Sequence, residues 1–578
     1  MKTEELEKVY NSRPFKIRNA DEFDIENILD LFIDPTDGLN SPFDFTNSII
    51  KGKMGSGKTM YLRANHAYYL YTLVPCLNEN EEIILPVYIK LSSFSNIQKP
   101  EDIYNAILVN IVEEIAGVCK HLQSSLELVK LHRGATSILE LWPTNKAISQ
   151  VLGRLQKLTA EEYVTTVTDS INGTVGASPQ FFNICAAYAQ NVAQEIKRKD
   201  RPSFQCVIDA CNELVLPFDG KVLFLFDEVG SINKSFFRAS DDADSLFETL
   251  MNQLRTLPYV RTKIAVYPNS ASDILQETRY GDCIELECDV VNNENQYANF
   301  LGKTASLIER YIEKGTGIKC CAEDVFEMTV QNQLLLEQLV NASEGNMRRL
   351  VHLLDLSMNA AFIRCYGKEK VKINDVIDAL KKQGGEMESC YHEGDIDFLN
   401  RLVRVCRNRS TYRFSFPYKS TVLNRYTNKS AEYNIINICQ AGTGRQGTVY
   451  SFDYVYCVYK DIPTHYIRGS EKLDKTRSNK TGEPIKRIAQ LSEEIMIQAD
   501  IRGKVEGSVV FLSDEGTSGS VRGDDGKDYF LLTQFLIESD RRKPIHTGSR
   551  IRFLPSLMPG NEASITLCTY IEILNNHQ

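Results

Sequence analysis

The sequence predicts a multidomain chain: an α/β domain with a parallel sheet, a helical lid, an α+β domain and a small C-terminal β-barrel. Three observations lead there. The first is Gly52 to Thr59, GKMGSGKT, set between the β-rich stretch SIIK (Ser48 to Lys51) and the helix-like run MYLRANHAYYLYTL. The second is Val222 to Phe226, VLFLF, a continuous apolar run suited to a strand buried on both faces, which ends in Asp227-Glu228. The third is the succession of short strands and Gly-Asp turns that begins near Lys504.

GKMGSGKT has the full spacing of a P-loop, and strand, loop, Lys-Thr and helix all agree with that reading. Backbone N–H groups of a glycine-rich turn at a positive helix end suit bound phosphates. Gly52, Lys53, Met54, Gly55, Ser56, Gly57, Lys58, Thr59 and Met60 are therefore the expected ATP-binding residues. Gly52 and Gly57 allow the tight turn, Lys58 reaches the β- and γ-phosphates, and Thr59 holds Mg²⁺ through its hydroxyl. VLFLFDE is the matching Walker B strand, in which Asp227 binds Mg²⁺ and Glu228 orients the attacking water as general base. A Glu directly after the Asp favours hydrolysis over binding alone. No NKxD-like base-reading motif accompanies the strand. The first domain is thus expected to be an α/β P-loop NTPase.

With 578 residues, the chain has length for about three to four domains. Its 43% hydrophobic and 25% charged residues are ordinary for a soluble globular protein. No run approaches the roughly 18 apolar residues that span a bilayer, and the start, MKTEELEKVYNSRPF, is charged, so a cytoplasmic protein is expected. The 15 cysteines show no CxxC pair or Cys/His ligand spacing, which points to reduced thiols rather than disulfides or zinc. A net charge of −10 argues against a chain that coats nucleic acid uniformly but leaves room for a local basic patch.

Between the two motifs, ILPVYIKLSSF (Ile84 to Phe94) reads as a second core strand and Asp102 to Val118 as an amphipathic helix. From about Cys119 to Pro217 the pattern is mostly helical, with loop signals at WPTN and NGTVGASPQ. It reads as a helical insertion, either a partner-binding element or an elaboration of the scaffold.

Past the Walker B strand, KIAVYPNS (Lys263 to Ser270) is another core strand, and its polar exit sets the amide of Asn269 for the γ-phosphate. Downstream, SEGNMRRLVHLLDLSMNAAF begins a helix with Arg348 and Arg349 in its first turn, and VKINDVIDALKK (Val371 to Lys382) closes a helical segment. Gly345-Asn346-Met347-Arg348 resembles the GNxR sensor 2 signature of the AAA+ ATPases of the origin-recognition-complex and related initiator and switch group. The resemblance covers roughly Phe15 to Gln383. It implies a core over 1–288 and a lid over 289–385, with Asn269 as sensor 1 and Arg348 touching the γ-phosphate from the lid. Arg349 is then a surface or interdomain charge. Arg279, in ILQETRYGDCIELE, falls where such subunits offer an arginine finger to a neighbour, which implies a homo-oligomer; a solvated loop arginine, with no ring required, is the other reading.

The next domain, 386–468, carries the basic segment Arg401 to Lys429, with eight Lys and Arg and no Asp or Glu. Tyr412, Phe414, Phe416, Tyr418 and Tyr426 are interleaved with the charges. A helix, DFLNRLVRVC, leads the segment, and a β-like pair in GTVYSFDYVYCVYK closes it. That order resembles a winged helix, the module that follows the lid in origin-recognition ATPases and binds duplex DNA. Arg404, Arg407, Arg409, Arg413, Lys419 and Arg425 are the expected nucleic-acid contacts. The alternative is a basic face that packs on the acidic ATPase domain.

Residues 469–500 read as an exposed linker with a short helix. The last domain, 501–578, resembles a cold-shock OB-fold, with strands at Lys504 to Phe511, in DDGKDYFLL and in GSRIRF. Where that family presents stacking aromatics on its second strand, this chain has TSGSV. Base stacking on such rings is worth about 1–3 kcal/mol per base, so Phe511, Arg522, Tyr529 and Phe530 are the remaining candidates. A barrel kept for protein docking is the other reading. Two functions follow for the whole chain. One is an initiator- or loader-like ATPase switch that engages nucleic acid, most readily DNA. The other is a signalling ATPase of a prokaryotic antiviral system that regulates a separate effector protein.

Overall fold

The computed structural model describes the chain apart from residues 36–40, 80, 134–136, 159–201, 238–244, 268–280, 291–292, 329–333, 417–418, 421–422, 424–425, 428–433, 441–447, 465–479, 481–487, 492–503, 538–539, 542, 558–565 and 575–578. Two compact units result. One comprises Met1–Cys288, Gly302–Ala322 and Gly345–Asp355, the other Asp289–Leu301, Glu323–Glu344 and Leu356–Gln578.

The first unit is α/β and P-loop-like. Its strands are β1 (Ser48–Lys51), β2 (Ile84–Lys90), β3 (Lys221–Asp227), β4 (Val260–Val266) and β5 (Asp282–Glu285). All pair in parallel, in the order β2-β3-β4-β1-β5. Alternation along β3 divides its side chains between the two faces of the sheet. Val222, Phe224 and Phe226 join the core that holds the helix Pro100–His121, while Leu223 and Leu225 join the one with Tyr61, Leu62 and Ala64 of the helix Lys58–Glu79. Burying each such side chain stabilises the fold by about 1.5–3 kcal/mol. Because β2 is an edge strand, it tolerates Pro86, which has no N–H to offer a further neighbour. The expected strand to Phe94 is shorter: it stops at Lys90, and Leu91–Phe94 turns as a 3₁₀ helix closed by the Ser95 N–H on the Ser92 carbonyl.

The described part of the insertion is helical, over Gln123–Arg133, Ser137–Leu141, Asn145–Leu158 and Phe204–Leu214. It thickens the scaffold. Leu126, Leu139, Trp142, Ile148, Val151 and Val207 all enter the core around the helix Pro100–His121. The Trp142 indole donates to the Cys119 carbonyl at 3.2 Å and stacks on Phe218 with centroids 4.8 Å apart.

The second unit holds the helices Leu334–Ser343, Ile373–Ser389 and Glu393–Asn408 and two sheets. Its strands are β6 (Arg413–Phe416), β7 (Lys419–Ser420), β8 (Ile436–Gln440), β9 (Thr448–Phe452), β10 (Ile488–Gln490), β11 (Val505–Leu512), β12 (Ser518–Gly523), β13 (Asp528–Leu532), β14 (Arg550–Leu557) and β15 (Thr566–Ile573). The four-stranded sheet runs β10-β6-β9-β8. Two expectations change here. Only Thr448–Phe452 of the expected pair GTVYSFDYVYCVYK is a strand, because the Asp453 carboxylate accepts from the N–H groups of Val455 and Tyr456 at 2.9 and 3.3 Å and starts a helix, Tyr454–Tyr459. The segment 469–500 is not all linker, since Ile488–Gln490 pairs in parallel with Arg413–Ser415.

The other sheet runs β11-β12-β13-β15-β14-β7, and β11 also pairs with β14, so the ladder of its first five strands returns to its start. Val509, Val521, Tyr529, Leu531, Ile551, Phe553 and Ile571 fill its interior. Short β7 lies antiparallel to the end of β14, with Lys419 opposite Leu557.

Candidate functional site

Residues 52–57 turn from the end of β1 into the helix Lys58–Glu79. Gly55 and Gly57 have φ of +82° and +98°, a region open to glycine at no steric cost. A Cβ on Gly52 would fall 2.3 Å from Ser56 Oγ, whereas one on Gly57 would meet nothing within 4 Å, so the loop frames an open hollow there. Ser56 Oγ is buried and has no hydrogen-bond partner, and among the described residues no backbone acceptor meets the N–H groups of Gly57, Lys58 and Thr59. Unsatisfied donors around a hollow at a helix N-terminus suit an oxyanion.

Lys58 is buried. Its Nζ donates to the carbonyls of Gly52 and Lys53 at 2.7 and 2.8 Å and lies 4.1 Å from the centroid of the Tyr267 ring. Burial pulls its pKa down to about 8, against the opposing pull of Asp227 and Glu287 and with the help of Arg348.

Asp227, at the end of β3, is 1% exposed. Its Oδ2 accepts the Tyr88 hydroxyl at 2.7 Å and its Oδ1 the Glu228 N–H at 2.8 Å. Burial raises its pKa, while hydrogen bonds from Tyr88 and the Thr59 side chain act the other way. Burial, and then the charge of Asp227, push the Tyr88 phenol well above its usual range, so it stays a donor. The Asp227 carboxylate and the Thr59 hydroxyl line the same cleft, two hard oxygen donors of the kind that would fit Mg²⁺. Glu228 follows with φ +56°, uncommon outside glycine, and its carbonyl accepts Ser231 Oγ at 2.6 Å.

The start of the helix Met347–Cys365 lies against this loop. Asn346 Nδ2 donates to the Met54 carbonyl at 2.8 Å, and the Arg348 N–H to the Gly55 carbonyl at 3.3 Å. A single cleft is lined by Met54 to Met60, Asp227, Glu228, Tyr267 and Arg348, with Leu31, Phe32, Leu307 and Tyr311 forming an apolar side. Arg349 differs from expectation. It is 3% exposed, in a helical turn whose next residues Leu350 and Val351 are buried as well, so it is not a surface charge. Asn269 and Arg279 lie outside the described residues. Tyr88, Tyr267 and Asn346 escaped sequence reasoning as site residues. Only Asn346 carried a signal, being part of the GNxR string.

In the second unit, Arg404, Arg407 and Arg409 are exposed on and just after the helix Glu393–Asn408. Arg407 bonds the Lys460 carbonyl and lies 3.7 Å from Asp461. Arg413 is half-buried in the interior strand β6, its guanidinium 5.4 Å from the Tyr412 ring. Lys419 belongs to β7, and Arg425 lies outside the described residues. The interleaved aromatics are not a stacking surface throughout, since Phe414 and Tyr426 are core residues, packed on Tyr450 and Phe398 respectively. In the C-terminal sheet Phe511 is 60% exposed, whereas Tyr529 is buried and bonds Asp525. Four basic side chains in and beside that sheet are paired: Lys504 with Glu572, Arg522 with Asp528, Arg550 with Asp524, and Arg552 with Glu506.

Among the described residues no helix is long and apolar enough to cross a membrane, no group of three or more His, Cys, Asp or Glu is placed to hold a metal, and the cysteines are free thiols. An ORC-CDC6-like family model matches residues 13–98, which include the loop and β1. No curated protein matches the sequence. The solved structure of the Aeropyrum pernix ORC2 protein, in ADPNP and ADP complexes, is 12% identical and covers 72% of this chain and 87% of its own, with a TM-score of 0.28, too low to equate the two folds.

Proposed function

We propose that the chain is an ATP-binding and ATP-hydrolysing AAA+ switch, related to origin-recognition initiators, that engages DNA through its second unit. The observation that carries the proposal is the cleft in which the glycine loop, Lys58, the Asp227–Thr59 pair, Glu228 and Arg348 converge. The family match over residues 13–98 supports the same reading. Loop N–H groups and Lys58 hold the phosphates, Thr59 and Asp227 hold Mg²⁺, and Glu228 orients water for in-line attack on the γ-phosphate. Arg348 reads the γ-phosphate from the start of its helix, Asn269 supplies an amide, and Arg279 serves a neighbouring subunit as finger. The 386–468 segment acts as a winged-helix-like DNA reader, with Arg404, Arg407 and Arg409 as its exposed cations, and 501–578 as an OB-like barrel.

A second reading has its own support. Because Lys504, Arg522, Arg550 and Arg552 are paired with carboxylates and Phe414, Tyr426 and Tyr529 are buried, less of this unit is free for phosphates and bases than its composition suggests. That favours a signalling switch in which these surfaces dock a separate effector.

Binding of the full chain to duplex DNA across a salt series separates the two. Under the DNA reading, affinity falls steeply with salt, and Arg404→Glu, Arg407→Glu and Arg409→Glu together remove most binding and lower the log–log slope by about 0.9 for each phosphate left unneutralised. Salt-insensitive or absent binding by the unaltered chain would overturn it and favour the effector switch.

A further inference from the structure

Tyr88 lies in the edge strand β2, opposite Leu225 of β3, yet its hydroxyl reaches Asp227 Oδ2 at 2.7 Å. The other oxygen of Asp227 is held by the Glu228 N–H at 2.8 Å, so the two oxygens are anchored from different elements. The Tyr88 ring in turn stacks on His66, with centroids 5.7 Å and planes 22° apart. His66 belongs to the helix that opens with Lys58 and Thr59. Tyr88 therefore touches both elements that supply the proposed cation ligands: the phosphate-loop helix through its ring and β3 through its hydroxyl. The β2–β3 ladder needs neither contact, since it is made by backbone groups alone.

Resting on the nucleotide and Mg²⁺ reading above, we propose that Tyr88 is a positioning residue for the divalent cation. It fixes the rotation of the Asp227 carboxylate so that the carboxylate and the Thr59 hydroxyl stay aimed at one point. A free carboxylate on a strand end can rotate about its last bond; a phenol held by a stacked ring cannot follow it. Partners that orient a ligand in this way are typically worth about 10–100-fold in metal affinity.

The test is Tyr88→Phe in the full chain, which keeps the ring on His66 and removes only the oxygen. Mn²⁺ binding in the presence of ADP is followed by electron paramagnetic resonance, and ADP binding is measured separately in EDTA. Mn²⁺ affinity should fall by about tenfold, with ADP affinity in EDTA unchanged. Equal Mn²⁺ affinity in Tyr88→Phe and the unaltered chain would overturn the positioning role while leaving the nucleotide site intact. Failure of the unaltered chain to take up Mn²⁺ with ADP would overturn the metal reading itself and this inference with it. A parallel loss of ADP affinity in EDTA would show that Tyr88 supports the loop rather than the cation, and would overturn the inference too.

Discussion

Lys58, proposed to hold the phosphates, sits where an ammonium is costly. Its ammonium is buried among two carbonyls and the face of Tyr267, with no carboxylate in direct contact, and burial brings its pKa down to about 8. A triphosphate beside it would raise that value again, because an opposite charge within a few ångströms favours the charged form. The sign follows. Below about pH 8 the free chain already carries the charge, and above it binding must take up a proton. Apparent ATP affinity should therefore be level below about pH 8 and fall above it by up to about tenfold per pH unit. Titration calorimetry in two buffers of different ionisation enthalpy reads that proton directly. Flat affinity across this range, with no buffer dependence, would contradict the assignment of Lys58 to the phosphates.

At the scale of elements, the contact between the glycine loop and the helix Met347–Cys365 sets what each can do. Asn346 donates to the Met54 carbonyl at 2.8 Å, and its own Oδ1 accepts the Arg349 N–H at 3.1 Å, so one side chain caps the helix and holds the loop. A Cβ on Gly55 would fall 2.3 Å from Asn346 Oδ1, at a φ of +82°. Gly55→Ala should thus destabilise the chain by about 1–2 kcal/mol through the left-handed backbone alone and weaken ATP binding further by driving Asn346 off the loop. Adding Asn346→Ala should recover part of the missing affinity while leaving the backbone cost in place. Chemical denaturation and ATP titration of the single and double variants separate these effects. A double variant that binds ATP no better than Gly55→Ala would show that the collision with Asn346 is not what limits the loop.

For the whole molecule, the motifs that act locally were legible in the sequence and the contacts made across elements were not. The strand-loop-helix at Ser48 to Thr59 and the apolar run ending at Asp227 announce themselves, because their spacing and continuous burial are local properties. Tyr88 and Tyr267 carried no such signal. Their partners are reached only through the parallel register of β2 with β3 and the position of β4 beside β1. Alternation can mark a side chain as inward, but not which inward residue it meets. The basic segment differs in part for the same reason: Phe414 and Tyr426 read as interleaved aromatics, yet both turn into the core of the second unit. The helix at Tyr454–Tyr459 is not legible locally, because a run of Val and Tyr has strand propensity and the Asp453 cap overrides it.

The central claim, that this cleft binds and hydrolyses ATP, is tested most directly by measuring ATP binding and phosphate release side by side for the unaltered chain, Lys58→Ala and Glu228→Gln. In the proposed mechanism Lys58 touches the phosphates in both ground and transition states, whereas Glu228 acts only on the attacking water. The account predicts that Lys58→Ala loses binding and, with it, turnover, while Glu228→Gln binds ATP as the unaltered chain does and releases phosphate at least about 100-fold more slowly. Equal loss of binding in both variants, or turnover in Glu228→Gln matching the unaltered chain, would contradict it.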